Sequence, residues 1–579
     1  MNRTLTQTLV FSSLLILATT ASSRAADVKQ KSDTSKPKDV LLTTMDNELQ
    51  RATKALDQMS PAPYFLSYEV QDQTFAIAVG MDGALLSSLH FRHRSADVIT
   101  HVGTPALDNT HEDSRTSAIQ SGSLPTDDDS DAMARELWRL TYQGYRKASK
   151  AYLNVKTQNQ VNAKEEDTSA DFSQEKPEVH LDYKLPAGAV HQAKMEELAR
   201  KYSARFRGYP FIYKAAVLIT AQSGQTRLVN SDGTKLVYPS QLVRLAIQVQ
   251  TRADDGMDLM RVETFQADSL DKLPGDTEID AKIQKMAADI KALRAAPVAE
   301  PFAGPALLSG RASAVFFHEV LGHRLEGQRQ RGEKEGRTFA KKIGEKVLPD
   351  FLTVSDDPTV RELGGVDLSG WYQYDNEGVP AQKVDLIKNG VLTNYLMARM
   401  PINGFAHSNG HGRAQAGFVP VGRQGNLIVS STKAASDAEL RQQLIDEVKK
   451  KNKPYGLYFE DIEGGFTLTQ AGAPQAFQVL PVLVWKVYPD GRPDELVRGV
   501  DIVGTPLAAM SGILITGEKS AVFDGVCGAE SGGVPVAAVA PAMLFSEIEV
   551  QKRGHSLNRP PILPPPDLPV VNQGKGGMQ

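Results

Sequence analysis

Residues 314–326 read Ala314-Val-Phe-Phe-His-Glu-Val-Leu-Gly-His-Arg-Leu-Glu326, and the spacing inside this stretch bears on both the chemistry and the fold. His318-Glu319-x-x-x-His323 sets a carboxylate between two imidazoles. That is the residue set of zinc hydrolysis, in which the imidazoles hold the ion and the carboxylate moves the proton. The histidines are five residues apart, not four as in the familiar H-E-x-x-H pattern. At 3.6 residues per turn they lie roughly 140° apart around a regular helix. An undistorted α-helix therefore cannot present both to one ion. Either a π-bulge realigns them, or the helix ends at Gly322 and His323 swings round. The motif alone also permits two unrelated histidines, one of them in the core beside Phe316 and Phe317.

A catalytic zinc takes three protein ligands and keeps one position open. The third must come from elsewhere, and Cys527, His407, His411 and Glu326 are the candidates. Cys527 lies between glycines, in Asp524-Gly-Val-Cys-Gly-Ala-Glu-Ser-Gly-Gly533. Flanking glycines let a backbone approach a site closely, and a thiolate is a strong zinc ligand. A small buried hydrophobe is the alternative fate of a free cysteine. For an oxyanion partner, Arg413, His411 and Tyr395 are available, and nothing in their spacing selects one. His411 and Arg413 are the substrate-contact candidates.

Working outward, the chain has 579 residues and a formal net charge of −4. That length predicts two or more domains. With 41% apolar and 23% charged residues, the composition is globular and neither disordered nor fibrous. The mild acidity gives no electrostatic reason to expect nucleic-acid binding. One cysteine excludes an intramolecular disulfide framework, zinc fingers and cysteine-held iron–sulfur clusters.

Residues 1–25 read as a secretion signal. Arg3 is the basic start, Leu9 to Ala18 the apolar run, and Ser23-Arg-Ala25 the small-residue cleavage pattern. Export to a periplasm or the exterior is expected, with no membrane anchor after cleavage. In an oxidising compartment a lone thiol is exposed to oxidation, so Cys527 is expected to be buried or held as a metal thiolate.

The expected fold class is α+β. A polar leader at 26–42, read as disordered, precedes an N-terminal mixed α/β domain at 43–300. A mainly antiparallel β domain follows at 301–555, with the HExxxH helix near the junction. The first domain carries helical spacing at 43–58, 131–153, 190–206 and 275–295. Short strands run from Tyr64 to Thr104, separated by turns at Gly80 and Gly83. AAVLITAQ and RLVN read as two strands, and Asn230-Ser-Asp-Gly233 as a hairpin turn. Residues 156–179 read as a charged surface loop. Pro297 to Pro305, with Gly304, reads as a break in regular structure. A helical stretch at 310–330 and a helix at 436–450 sit among short strands. Residues 556–579 form a proline-rich tail.

Several ordered segments together resemble the TldD/PmbA metallopeptidases. They are Phe317-His-Glu-Val-Leu-Gly-His-Arg-Leu-Glu-Gly327, Asp375-Asn-Glu-Gly-Val-Pro380 with Asn389-Gly-Val-Leu392, and Gly410-His-Gly-Arg413 leading to Asn426-Leu427. Gly464-Gly465, Val497-Arg-Gly-Val500, and Val526-Cys-Gly528 with Val534-Pro-Val536 follow. The match covers about 310–550, and a weaker one covers the preceding half. The resemblance implies that His318, His323 and Cys527 hold zinc (Zn2+) and that Glu319 is the catalytic carboxylate. It also implies a peptidase that acts on short or unfolded peptides in an enclosed site. The assembly it implies is a homodimer, or a heterodimer with a family paralogue. The intact motif resembles that of the catalytic partner. A non-catalytic, zinc-stabilised scaffold subunit is the alternative. The signal, the polar loops of the first half and the proline-rich tail depart from the family pattern.

Overall fold

The computed structural model describes residues 39–111, 115–159, 166–185, 188–331, 336–469 and 476–554. The expected signal, residues 26–38 of the leader and the proline-rich tail lie outside the described residues. The chain has a mixed α/β fold with much strand. Among the described residues, no helix is long and apolar enough to cross a membrane.

The first helix among the described residues, α1 (Val40–Leu56), takes in residues 40–42 of the expected leader. Next come two strands, β1 (Pro63–Met81) and β2 (Ala84–Thr104), far longer than the short runs expected. The chain reverses at Asp82-Gly83, both at positive φ. Gly80 is no turn but lies inside β1. A Cβ there would come within 2.1 Å of the Ala199 carbonyl oxygen, so the close approach of a helix requires glycine. That helix is α3 (Gln192–Ala204), after α2 (Ser130–Gln158). α2 extends into the stretch read as a loop from 156.

β3 (Lys214–Asn230) is one strand where two short ones were expected. The Asn230 side chain accepts the N–H groups of Asp232 and Thr234, which forms the predicted turn into β4 (Lys235–Arg252). β5 (Asp258–Ala267) pairs with β4. β2, β1, β3, β4 and β5 form the antiparallel centre of an eight-stranded sheet among the described residues. Leu41, Met45 and Leu49 of α1 share a core with Met133, Leu137 and Leu140 of α2 and with Tyr68, Val70 and Val98 of the sheet. α4 (Asp276–Ala295) packs Ile279, Ile283 and Ile290 on Val217, Leu245 and Ile247.

Residues 297–301 are irregular, as the prolines suggest, but strand β6 (Phe302–Leu308) already begins within the stretch read as a break. Pro305 fits because it meets the register shift between Phe545 and Ile548 of the facing strand. α5 (Gly310–Val320) follows at once, capped by the Ser309 hydroxyl on the Ala312 N–H at 3.1 Å. Its Phe316 and Phe317 are fully buried with Leu308, Phe459, Phe477 and Phe545. α6 (Asp437–Lys450) begins with a Ser436–Glu439 capping box. Further along come β7 (Gly456–Thr467), β8 (Phe477–Val487) and the long hairpin β9 (Ile513–Ala529) and β10 (Gly532–Lys552). This second sheet has twelve strands among the described residues. It is largely antiparallel, with parallel pairs such as β6–β7 and Asn426–Ile428 on β10.

The two sheets are joined by polar contacts. Arg261 of β5 pairs with Asp461 of β7 at 2.7 Å. The Asn376 amide donates to both oxygens of Glu69 on β1, at 3.1 and 3.2 Å. Burial, with the nearby Asp97 charge, pushes the Glu69 carboxyl up to about 7 despite the Gln71 and Asn376 hydrogen bonds. A carboxyl raised in the folded state holds its proton longer there than in the unfolded chain. Its contribution is therefore full at low pH and is lost as pH rises through about 7. Glu69→Gln is expected to gain on the order of 2–3 kcal/mol relative to wild type between pH 4.5 and 8. Denaturant midpoints at the two pH values measure this, and an unchanged gap would refute it.

Candidate metal centre

Of the two ways to reconcile the five-residue spacing, the structure takes the second. α5 ends at Val320, and Gly322–Leu325 continues as a single 3₁₀ turn. The turn brings the His323 ring edge-on to that of His318, with centroids 5.1 Å apart at 74°. β9 delivers Cys527 from the far end of the sequence. Its Sγ lies 3.2 Å from Nε2 of His318 and 3.2 Å from Nε2 of His323. The three ligand atoms all lie within 4.8 Å of one another, and all three residues are buried. Ligand atoms around a tetrahedral zinc-sized ion stand roughly 3.5 Å apart. Two imidazole nitrogens and a thiolate at these separations fit one metal ion.

The electrostatics agree with the donor set. Burial would raise the Cys527 thiol, but the two histidines outweigh it and hold the thiol well below its ordinary range. Cys527 is thus poised as thiolate, the form that binds a metal. Burial would lower His318 and His323, and the facing thiolate raises both instead. The thiolate thus draws positive charge onto the two imidazoles, and a bound metal ion would take the place of those protons.

Glu319 neighbours the cluster on α5. Among the described residues its carboxylate has no hydrogen-bond or ion-pair partner. Burial is the main cause that raises its pKa, partly offset by His318 and His323. Its side chain lies over Gly465 of β7, where an added Cβ would sit 3.0 Å from Glu319 Cγ. Close approach is needed there and not beside Cys527, since a Cβ at Gly528 meets nothing within 4 Å.

The other candidate ligands stand outside the cluster. Glu326 is fully buried and accepts from His323 Nδ1 at 3.0 Å and from Arg329 Nε at 2.7 Å. Burial pushes its carboxyl up, but Arg329 and His323 prevail and hold it at about 2. It orients His323 from behind, a role the sequence reading missed, although its place three residues after His323 on a tight turn was the available signal. His407 is largely exposed, 3.5 Å from Glu175. His411 is buried with Nε2 3.2 Å from Asp356 and Nδ1 beside Asn409. Arg413 is buried over the Tyr372 ring and bonds the Gln424 and Pro535 carbonyls. The Tyr395 hydroxyl donates to the Phe339 carbonyl at 2.7 Å. None of these four is hydrogen-bonded to the cluster.

Glu326→Gln is expected to weaken metal binding about 10–100-fold. Competition with a chelating dye checks this, and wild-type affinity in the variant would exclude the orienting role.

Residues 303–552 match the family model of the PmbA/TldA metallopeptidase C-terminal domain. A Haemophilus influenzae protein named a metalloprotease TldD homolog is 31% identical over 250 residues, covering 42% of this chain and 48% of that protein. An Archaeoglobus fulgidus protein named a metalloprotease is 28% identical over 233 residues, covering 40% of this chain and 49% of its own. The chain thus spans about half the length of the curated relatives it matches. The structure of TldE from Thermococcus kodakarensis shares the fold, with a TM-score of 0.55 at 12% identity, covering 88% of this chain and 100% of that one. The matched region carries His318, His323 and Cys527, and over these residues the chain is similar to the C-terminal domain of the TldD/PmbA metallopeptidases.

Proposed function

We propose that this chain is an exported zinc peptidase that hydrolyses short or unfolded peptides. One observation carries the reading: a largely buried Glu319, with no partner among the described residues, stands beside a His318–His323–Cys527 cluster. A purely structural metal site has no use for such a carboxylate. The relatives named metalloproteases support a metal-dependent peptidase, and the leader pattern in residues 1–25 supports export.

His318, His323 and Cys527 would hold the zinc. When bound, zinc supplies Lewis-acid polarisation of the scissile carbonyl and acidifies water. Glu319 takes the proton of the attacking water and passes it to the nitrogen of the leaving amine. Its raised pKa suits both halves of that transfer. Burial of the cluster excludes bulk water and strengthens each charge interaction within it.

The strand that carries Cys527 supports an extended substrate. From Ser520 to Ala529, β9 pairs with β10 on one side. Among the described residues no strand occupies its other edge there. Apart from the Cys527 carbonyl, which Arg423 holds at 2.7 Å, that row of N–H and C=O groups could add an extended peptide as a further strand, with little regard to its side chains. We place the active form as a homodimer, or as a heterodimer with a family paralogue.

With a panel of unstructured peptides, Glu319→Gln is expected to keep its metal and lose about 10²–10⁴-fold in turnover. Chelation should abolish wild-type turnover and zinc should restore it. Full turnover in the variant, or in the chelated wild type, would overturn the proposal.

A further inference from the structure

The run Val421-Gly-Arg-Gln-Gly425 lies about a hundred residues from each part of the cluster, yet it is bonded to His318 and Cys527 and reaches the carboxylate that holds His323. The Arg423 side chain is fully buried. Its Nη2 donates to the Cys527 carbonyl at 2.7 Å. Its Nη1 donates to the Ser531 hydroxyl at 2.8 Å and to the Gly532 carbonyl at 3.1 Å. Its Nε lies 3.5 Å from Glu326 Oε1, the same oxygen that accepts from His323 Nδ1. The next side chain, Gln424, donates to the His318 carbonyl at 3.3 Å. The Arg423 N–H is itself fixed on the His411 carbonyl at 2.9 Å.

We infer that Arg423 is a positioning residue of the metal centre. Its guanidinium fixes the Cys527 hairpin against the Glu326–His323 pair. The inference rests on the metal-centre reading above. Cys527 enters the site on an edge strand, so the ladder of β10 holds it from one side only. Arg423 supplies a second hold and ties it to the carboxylate that orients His323. The planar guanidinium fork meets two carbonyls, a hydroxyl and a carboxylate at once. A lysine ammonium keeps the charge but cannot span the same set.

The test uses the full chain, stripped of metal and titrated with Co2+. Affinity is read against a chelating dye, and thiolate ligation from the thiolate-to-cobalt charge-transfer band. Arg423→Lys is expected to bind Co2+ about 10–100-fold more weakly, with a diminished band. Arg498→Lys is the control, since that buried arginine bonds Ala296 and Asp255 instead. It should keep wild-type affinity and band, and its metal-free melting temperature should match that of Arg423→Lys. Wild-type affinity and band in Arg423→Lys would overturn the inference, as would equal losses in Arg498→Lys. If Arg423→Lys does not fold, Arg423→Met with Glu326→Gln removes both buried charges together. That pair should bind Co2+ more weakly than Glu326→Gln alone, and equal affinity would overturn the inference. A folded wild type with no thiolate band would instead overturn the metal-centre reading beneath it.

Discussion

One sulfur atom lies 3.2 Å from two imidazole nitrogens that precede it by 209 and 204 residues. Much of the second half of the chain can be understood from that contact. α5 must stop at Val320, because a further regular turn would carry His323 away from the sulfur. The β9–β10 hairpin must return to the end of α5. The site must be dry enough for a thiolate and two imidazoles to act strongly on one another. The Phe316, Phe317, Phe459, Phe477 and Phe545 core beneath α5 provides that dryness. The same burial raises Glu319, which has no partner among the described residues. A group with no structural bond to lose is free to carry protons.

The chemistry was more legible in the sequence than the architecture. His318, Glu319 and His323 announce themselves by residue type. The five-residue spacing also states its own problem, and the helix end is one of the two solutions that geometry allows. Cys527 could be named as a ligand candidate because it is the sole thiol of the chain, yet its contact with the histidines is a tertiary fact. Glu326, Arg329 and Arg423 were harder to read. Buried charges look like surface charges in a sequence, and only the fold shows that they face one another. Strand lengths misled for a related reason. Gly80 and Pro305 look like breaks, but one admits a packed helix and the other meets a register shift. Local signals mark where a chain can turn, and tertiary packing decides whether it does.

The first sheet is coupled to the site through a chain of polar contacts. Asn376 of the Asp375-Asn-Glu-Gly-Val-Pro380 turn bonds Glu69 on one side. On the other, its N–H donates to the Gly412 carbonyl at 2.8 Å and its side chain accepts the Ala414 N–H at 3.0 Å. Gly412-Arg413 pairs with Val421-Gly422, and the next residue is Arg423. The Asp375–Pro380 turn is therefore a physical bracket between a sheet face and the cluster. This gives the long first-half strands a part in holding the site without placing one of their residues in it.

The most direct measurement is the metal content of the freshly purified full chain, wild type beside Cys527→Ser. About one zinc per wild-type chain, sharply reduced in the variant, is the expected result. Undiminished zinc in the variant, or a folded wild type that takes up none on supplementation, would show that the sulfur and the two imidazoles do not share an ion.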